Sequence, residues 1–352
     1  MKHIWIRKEY KQDEKRVAIT PNDARVLIEN GLKITVEEHD DRFFPVEEYS
    51  KAGCDIVPGD SWQNAPSDVY VLGLKELPNV NSPLPGNHVY FAHAFKGQPG
   101  SDKLLKRFQQ GGGNLYDLEY LTDQDGKRVA AFGFYAGICA VAVGIEIWCK
   151  AENGISPQKI SQKYYSSFSY MLDHLEKHLK SVNAIPNILV IGPSGRCGKG
   201  AISLLDELKL PYTCLDREDR QDVELVQRCI EKSNIIINSV CAHKVGQEKL
   251  ITKERLNRLA NNTNIVDLAC EPFSDNNLID IYDEITTFAS PVKAIECDGK
   301  NVFLSAIDHI PSYLPKESSE YFSSKLTPCI LQYKDNICWL NAKSAFVKAL
   351  EK

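Results

Sequence analysis

Short apolar runs separated by longer amphipathic stretches recur along the whole chain. Strands are expected at Ile4 to Arg7, Lys33 to Val36, Val69 to Leu74, Val89 to Ala94 and Asn114 to Leu118. They alternate with helical stretches, as a layered α/β structure requires. Between the first two, Thr20 as N-cap, Pro21 at the first helical position and Gly31 just past the end mark out a helix. From Pro186 onward the runs become continuously apolar, at Ile188 to Ile191, Tyr212 to Leu215, Ile235 to Asn238 and Ile265 to Leu268. That pattern belongs to parallel strands covered on both faces.

Between these halves lies Val129 to Ile145, a segment with no charged residue that is followed at once by Glu146. It falls just short of the ~20 apolar residues that span a bilayer. Small residues at Gly133, Ala136, Gly137, Ala140 and Gly144 recur at helical spacing, so a buried, closely packed helix between domains is the expectation. A polar stretch from Ala151 to Gln162 and a helical segment ending near Lys180 follow. Helical periodicity returns at Ala342 to Leu350, where the chain is expected to fold back on its first domain. The expected domains are therefore 1–131 with 316–352, and 132–315.

A length of 352 residues suits two domains of ordinary size. The net charge of −5 argues against a nucleic-acid binder but leaves room for a local cationic pocket. The eleven cysteines never show Cys-x-x-Cys spacing, and the amino terminus Met1-Lys2-His3-Ile4-Trp5-Ile6 reads as a strand rather than a signal peptide. Reduced thiols, a cytoplasmic location and no membrane partner are expected. No three metal-ligating residues cluster along the chain, so no metal site is expected.

The most informative local feature is Ile188-Leu-Val-Ile-Gly192-Pro-Ser-Gly195-Arg196-Cys197-Gly198, a strand running into a glycine-rich turn and a helix. Glycines at 192, 195 and 198 permit the tight turn, the close approach of backbone amides to a pyrophosphate, and helix packing on the strand. Asp216, at the end of the next strand and 24 residues after Gly192, is placed to accept from a ribose 2′-OH. Its charge favours NAD over NADP, whereas Arg217 beside it would attract a 2′-phosphate. Methyltransferases share this turn and acid, so the motif alone leaves hydride and methyl transfer open.

A second constellation lies in the first half. Gly73-Leu-Lys75-Glu76 follows one strand, and His93, Lys96 and Gln98 follow the next. Lysine and histidine at the ends of adjacent parallel strands point into one crevice. With Arg16 and Arg128 they describe a cationic pocket for an anion carrying more than one carboxylate. Near the return to the first domain, Asp308-His309 reads either as a catalytic pair or as an N-cap before Pro311.

At these residues the chain resembles the NAD-dependent, L-lysine-forming saccharopine dehydrogenases, within the alanine dehydrogenase and transhydrogenase-like structural group. The similar strings are Arg16 to Pro21, Gly73-Leu-Lys-Glu76, Tyr116-Asp-Leu-Glu119, Arg128 to Gly137, Gly195-Arg-Cys-Gly198, and Ile307-Asp-His through Leu314-Pro315, and they cover nearly the whole chain. The resemblance implies an α/β protein of two Rossmann-like domains with parallel sheets and an active-site cleft between them. It implies oxidative cleavage of saccharopine to lysine and 2-oxoglutarate, with Lys75 as the base and His93 as the acid–base group. Arg16, Lys75, Lys96, Gln98, Arg128 and Phe132 would bind substrate. Ala269 stands where fungal relatives carry a serine near the substrate. NAD would contact Lys127, Gly192, Gly195, Arg196, Gly198, Asp216, Cys241, Leu268, Ile307, Asp308, His309 and Ile310. Ser239 replaces a cysteine of fungal relatives, so a reduced Cys197 is expected. A related amino- or imino-acid dehydrogenase and a nucleotide-sensing regulator that has lost catalysis are the competing readings.

Overall fold

Six parallel strands form the sheet of the first unit: β1 (His3–Ile6), β2 (Lys33–Glu37), β3 (Asp55–Val57), β4 (Tyr70–Leu72), β5 (Asn87–Tyr90) and β6 (Asn114–Asp117), in the order β3-β2-β1-β4-β5-β6. The computed structural model describes residues 1–352 apart from 79, 162, 243–246, 273, 296, 298, 334, 335 and 352. It divides into Met1–Phe132 with Pro315–Lys352, and Gly133–Leu314. Strand order reverses beside β1, which opens a crevice at the carboxyl ends of β1 and β4. Helices α1 (Pro21–Glu29), α2 (Val46–Lys51) and α3 (Ser101–Gly111) connect the strands. The hydroxyl of Thr20 accepts from the Asp23 amide and Pro21 opens α1, as the stop signals predict.

Two strands are shorter than their apolar runs. β4 stops at Leu72 because the Arg7 guanidinium occupies the space beside Gly73, where a Cβ would lie 2.4 Å from Arg7 Cζ. β5 stops at Tyr90, and three residues later His93 sits at φ 49°. The three-residue β3 escapes prediction because it is short, begins on Asp55 and is only partly buried at the sheet edge.

The second unit opens with the apolar helix α4 (Gly133–Glu152), followed by α5 (Phe168–Lys180), β7 (Ile188–Ile191), α6 (Arg196–Glu207), β8 (Tyr212–Leu215), α7 (Val223–Lys232), β9 (Ile235–Asn238), β10 (Ile251–Thr252), β11 (Thr263–Asp267), β12 (Ile279–Asp280), β13 (Lys293–Ile295) and β14 (Val302–Ser305). Its main sheet runs β13-β14-β11-β9-β7-β8, parallel except for β13 against β14. By length and composition α4 is apolar enough to cross a membrane, yet residues 137–149 are all buried within this unit. Its glycines explain the packing. A Cβ on Gly137 would lie 1.8 Å from the Cys197 carbonyl oxygen, and one on Gly200 would lie 1.8 Å from that of Phe134, so α4 and α6 touch backbone to backbone.

The chain then returns to the first unit through α8 (Pro315–Leu331) and α9 (Ile337–Leu350). Buried serines on α8 hold the loop before α1: Ser319 Oγ accepts from the Val17 amide and Ser323 Oγ from the Thr20 amide, both at 3.0 Å. Phe322, Leu326, Trp339 and Ala342 join the first unit's core.

Candidate functional site

In the first unit the candidate site is built on the carboxyl ends of four neighbouring strands. Lys75 lies three residues beyond β4 and is 7% exposed. Residues after β1 fix its turn: Glu9 accepts from the Leu74 amide at 2.6 Å and the Lys75 amide at 2.9 Å, while Arg7 donates to the Lys75 carbonyl. Arg7 pairs with Glu9 at 3.4 Å and is almost wholly buried. Both backbone groups of Lys75 are thereby satisfied by side chains, which frees the backbone from any sheet ladder and leaves the lysine at a fixed place. Neither Arg7 nor Glu9 was foreseen, since only the strand order reveals that β1 and β4 are adjacent.

His93 follows β5, with Phe91 stacked beside it at a centroid separation of 6.5 Å. Its Nδ1 lies 4.0 Å from Glu119, which follows β6, and Glu119 accepts from Lys96 Nζ at 2.9 Å. Burial pushes the Glu119 carboxyl up, but the hydrogen bond and charge of Lys96, with Arg128 and His93 behind them, hold it below its ordinary value. Gln98 accepts from the Lys96 amide at 2.8 Å. The structure therefore joins His93, Lys96, Gln98 and Glu119 into one polar cluster, with Arg128 acting on it through its charge. A cavity of about 200 Å³ adjoins His93 and is lined also by Glu76 and Arg107.

Asp117, at the end of β6, underlies this cluster. It accepts from the Ala92 amide at 3.2 Å and the Glu119 amide at 2.8 Å, and so fixes the segments that carry His93 and Glu119. Burial raises its pKa to about 7 against the help of those amides. The folded state therefore keeps a proton that the unfolded chain releases near the ordinary aspartate value. Stability from this group is complete below that value and is lost as pH rises towards 7. The unfolding free energy of the wild type, read from urea titrations, should fall relative to that of Asp117→Asn across this window, by on the order of 1 kcal/mol per pH unit. Parallel curves for the two proteins would place the titration elsewhere.

Arg16 is 5% exposed and donates through Nε and Nη2 to Glu14 at 2.8 and 2.5 Å. Its guanidinium carbon stands 4.2 Å from the centroid of Phe132, which stacks on Phe322 at 4.3 Å. The arginine is thus held by a carboxylate on one edge and an aromatic face, and Glu14 is a partner that the sequence did not announce. Arg128 bridges to Thr122, and the neighbouring Lys127 is exposed, 3.9 Å from Asp125. Lys127 belongs to the first unit, whereas the other cofactor candidates and Ala269 belong to the second.

There, β7 runs through Gly192, at φ 87°, into α6, whose N-cap Gly195 offers no side-chain cap. A Cβ at 198 would lie 2.1 Å from the Gly192 oxygen, so only glycine closes this turn. Ser239 Oγ donates to the carbonyls of Ile191 and Gly192 at 2.7 and 3.2 Å and ties β9 to the turn. Past β8, Asp216 Oδ1 accepts from the amides of Glu218 and Asp219, which lower its pKa. The Asp267 carboxylate, buried at the end of β11, accepts from Asn238, Tyr282 and the Ala269 amide. This knot aligns the strand ends that carry Cys241 and Leu268, whose amide donates to Asn238. Cys241 itself precedes 243–246, which lie outside the described residues.

Ile307 pairs with Thr286 and is buried, as is Ile310. Asp308 does not cap the short 3-10 helix at Ile310–Tyr313; it holds His309 Nδ1 at 2.8 Å. His309 is 3% exposed and its Nε2 meets no hydrogen-bond partner among the described residues.

Family models described as the N-terminal and C-terminal domains of alanine dehydrogenase/PNT match residues 5–139 and 167–350. Saccharopine dehydrogenase [NAD(+), L-lysine-forming] of Schizosaccharomyces pombe is 37% identical, over 99% of this chain and 99% of its own. The protein of the same name from Emericella nidulans is 36% identical, over 97% and 96%. Among solved structures, an L-alanine dehydrogenase superposes with TM-score 0.67 at 14% identity, covering 99% of this chain and 94% of its own. A transhydrogenase from Sinorhizobium meliloti gives 0.66 at 16%, covering 97% and 96%. At such identities these two structures speak for the fold alone.

Proposed function

The chain belongs to the L-lysine-forming saccharopine dehydrogenase family, and on that premise we propose that it cleaves saccharopine oxidatively and reversibly to lysine and 2-oxoglutarate. The second unit's own geometry fits a dinucleotide. The α6 amino terminus has no side-chain cap, the turn before it excludes a Cβ at 198, and a buried His309 nitrogen lacks a partner among the described residues. When bound, NAD supplies the acceptor for the substrate hydride. Gly192, Gly195, Arg196 and Gly198 would hold its pyrophosphate, and Asp216 would meet a ribose hydroxyl through Oδ2, since Oδ1 serves two backbone amides. Leu268, Cys241 and Ile307 to Ile310 would line the remainder.

Lys75 takes the proton of the secondary amine as the adjacent carbon is oxidised, leaving an imine. His93 then manages proton transfer as water adds to that imine and the carbon–nitrogen bond breaks. Arg16 has its Nε–Nη2 edge on Glu14, so a substrate carboxylate would meet its Nη1 side. Lys96, Gln98, Arg128 and Phe132 complete the substrate contacts, while Ala269 offers no side-chain hydrogen bond. The observation that carries this reading is the placement of Lys75 and His93 past adjacent parallel strands β4 and β5, with side chains locking the lysine turn. NADH absorbance should fall when lysine and 2-oxoglutarate are supplied together and hold steady with pyruvate plus ammonium. The reverse outcome would make the chain an alanine-type dehydrogenase on the same fold.

A further inference from the structure

We propose that Glu146, His174 and His178 form a binding site for a divalent transition metal of the zinc class, which pins α5 to α4 inside the second unit. His174 and His178 stand one turn apart on one face of α5, their ring centroids 4.6 Å apart at 88°. Glu146 faces them from α4. One ligand atom from each residue lies within 4.8 Å of the other two, close enough for a single ion to reach all three. The sequence reading found no such cluster, because the i,i+4 histidine pair acquires its third donor only when α5 packs on α4.

The surroundings are those of a metal centre. The Glu146 side chain is fully buried, and Tyr313 Oη donates to its Oε2 at 2.8 Å while Lys150 Nζ donates to Oε1 at 2.8 Å, joined by the Ser161 amide. Tyr165 Oη meets His174 Nδ1 at 2.6 Å and so orients that ring. Two imidazoles and one carboxylate suit zinc and its neighbours; magnesium and calcium prefer all-oxygen sets. Three protein donors leave a fourth position for water. A purely structural Glu146–Lys150–Tyr313 network accounts for the carboxylate, but gives no reason for two imidazoles to converge on it.

Lys150 is the discriminating residue, because its ammonium competes with a cation for Oε1. The full-length protein, stripped with chelator, should be titrated calorimetrically with Zn²⁺ and followed by visible absorption with Co²⁺. One equivalent should bind without thiolate-to-cobalt bands. Both His174→Ala and His178→Ala should weaken it by roughly tenfold or more. Lys150→Met should tighten it by about severalfold. Zn²⁺ should raise the melting temperature of the wild type but not of His178→Ala, whose half-buried position keeps the variant folded. Absence of saturable Zn²⁺ binding, equal affinity in the histidine variants, or thiolate bands in the Co²⁺ spectrum would overturn the assignment.

Discussion

Lys75→Met is expected to lower turnover by about 10²- to 10⁴-fold while NADH still binds with near wild-type affinity. The size follows from what the substitution removes. Methionine keeps the length and apolar stem of lysine but has no amine to take the substrate proton. The contacts that position residue 75 run through its backbone, from Glu9 to two amides and from Arg7 to the carbonyl, so the turn survives the change. A residue only 7% exposed also tolerates methionine without new solvent contact. The loss should appear in kcat. Stopped-flow turnover and NADH fluorescence separate the outcomes. Wild-type turnover would remove Lys75 from its assigned role, whereas a matching loss of NADH binding would trace the defect to misfolding.

The parts of this design that a sequence displays are those written in local periodicity. Short apolar runs located β7, β8 and β9 to the residue, and β7 and β9 are buried along their whole length. Thr20, Pro21 and Gly31 bounded α1 because caps act over a few residues. Lys75 and His93 were visible because both follow strands in a layered fold. The residues that hold them were not. Glu9, Glu14 and Asp117 act across strands or through an amide, and no spacing predicts that a carboxylate three residues past the end of β1 will seat a turn after β4. The antiparallel β13 escaped because a run of three partly exposed residues is too short to show a period. Local sequence left Asp308 open between a helix cap and a partner of His309, and the side chain meets His309 Nδ1 instead of capping the helix.

Gly137→Ala should destabilise the second unit by about 3 kcal/mol or more, although alanine is the better helix former by about 1 kcal/mol. Two effects oppose each other here, and distance decides between them. The added methyl would lie 1.8 Å from the Cys197 carbonyl oxygen and 2.6 Å from the Ala201 nitrogen, both backbone atoms that no rotamer change can move. Relief requires α6 to shift away from α4, which opens the reciprocal contact at Gly200 and loosens a core that includes Ile138, Val141, Ala201 and Leu204. Because α6 begins at the Gly195–Gly198 turn, the same shift should weaken NADH binding. Gly195→Ala supplies the contrast. Its Cβ would meet only the Gly192 oxygen, at 3.6 Å, and its φ of −73° suits any residue, so stability should stay within about 0.5 kcal/mol of wild type. Its NADH affinity should nevertheless fall, since the methyl stands beside the uncapped amides of α6 where a pyrophosphate must approach. Thermal unfolding and NADH titration of the two variants separate a glycine required by the helix pair from one required by the ligand. Equal melting temperatures would refute the backbone clash at Gly137, and unchanged NADH affinity in Gly195→Ala would move the pyrophosphate away from this turn.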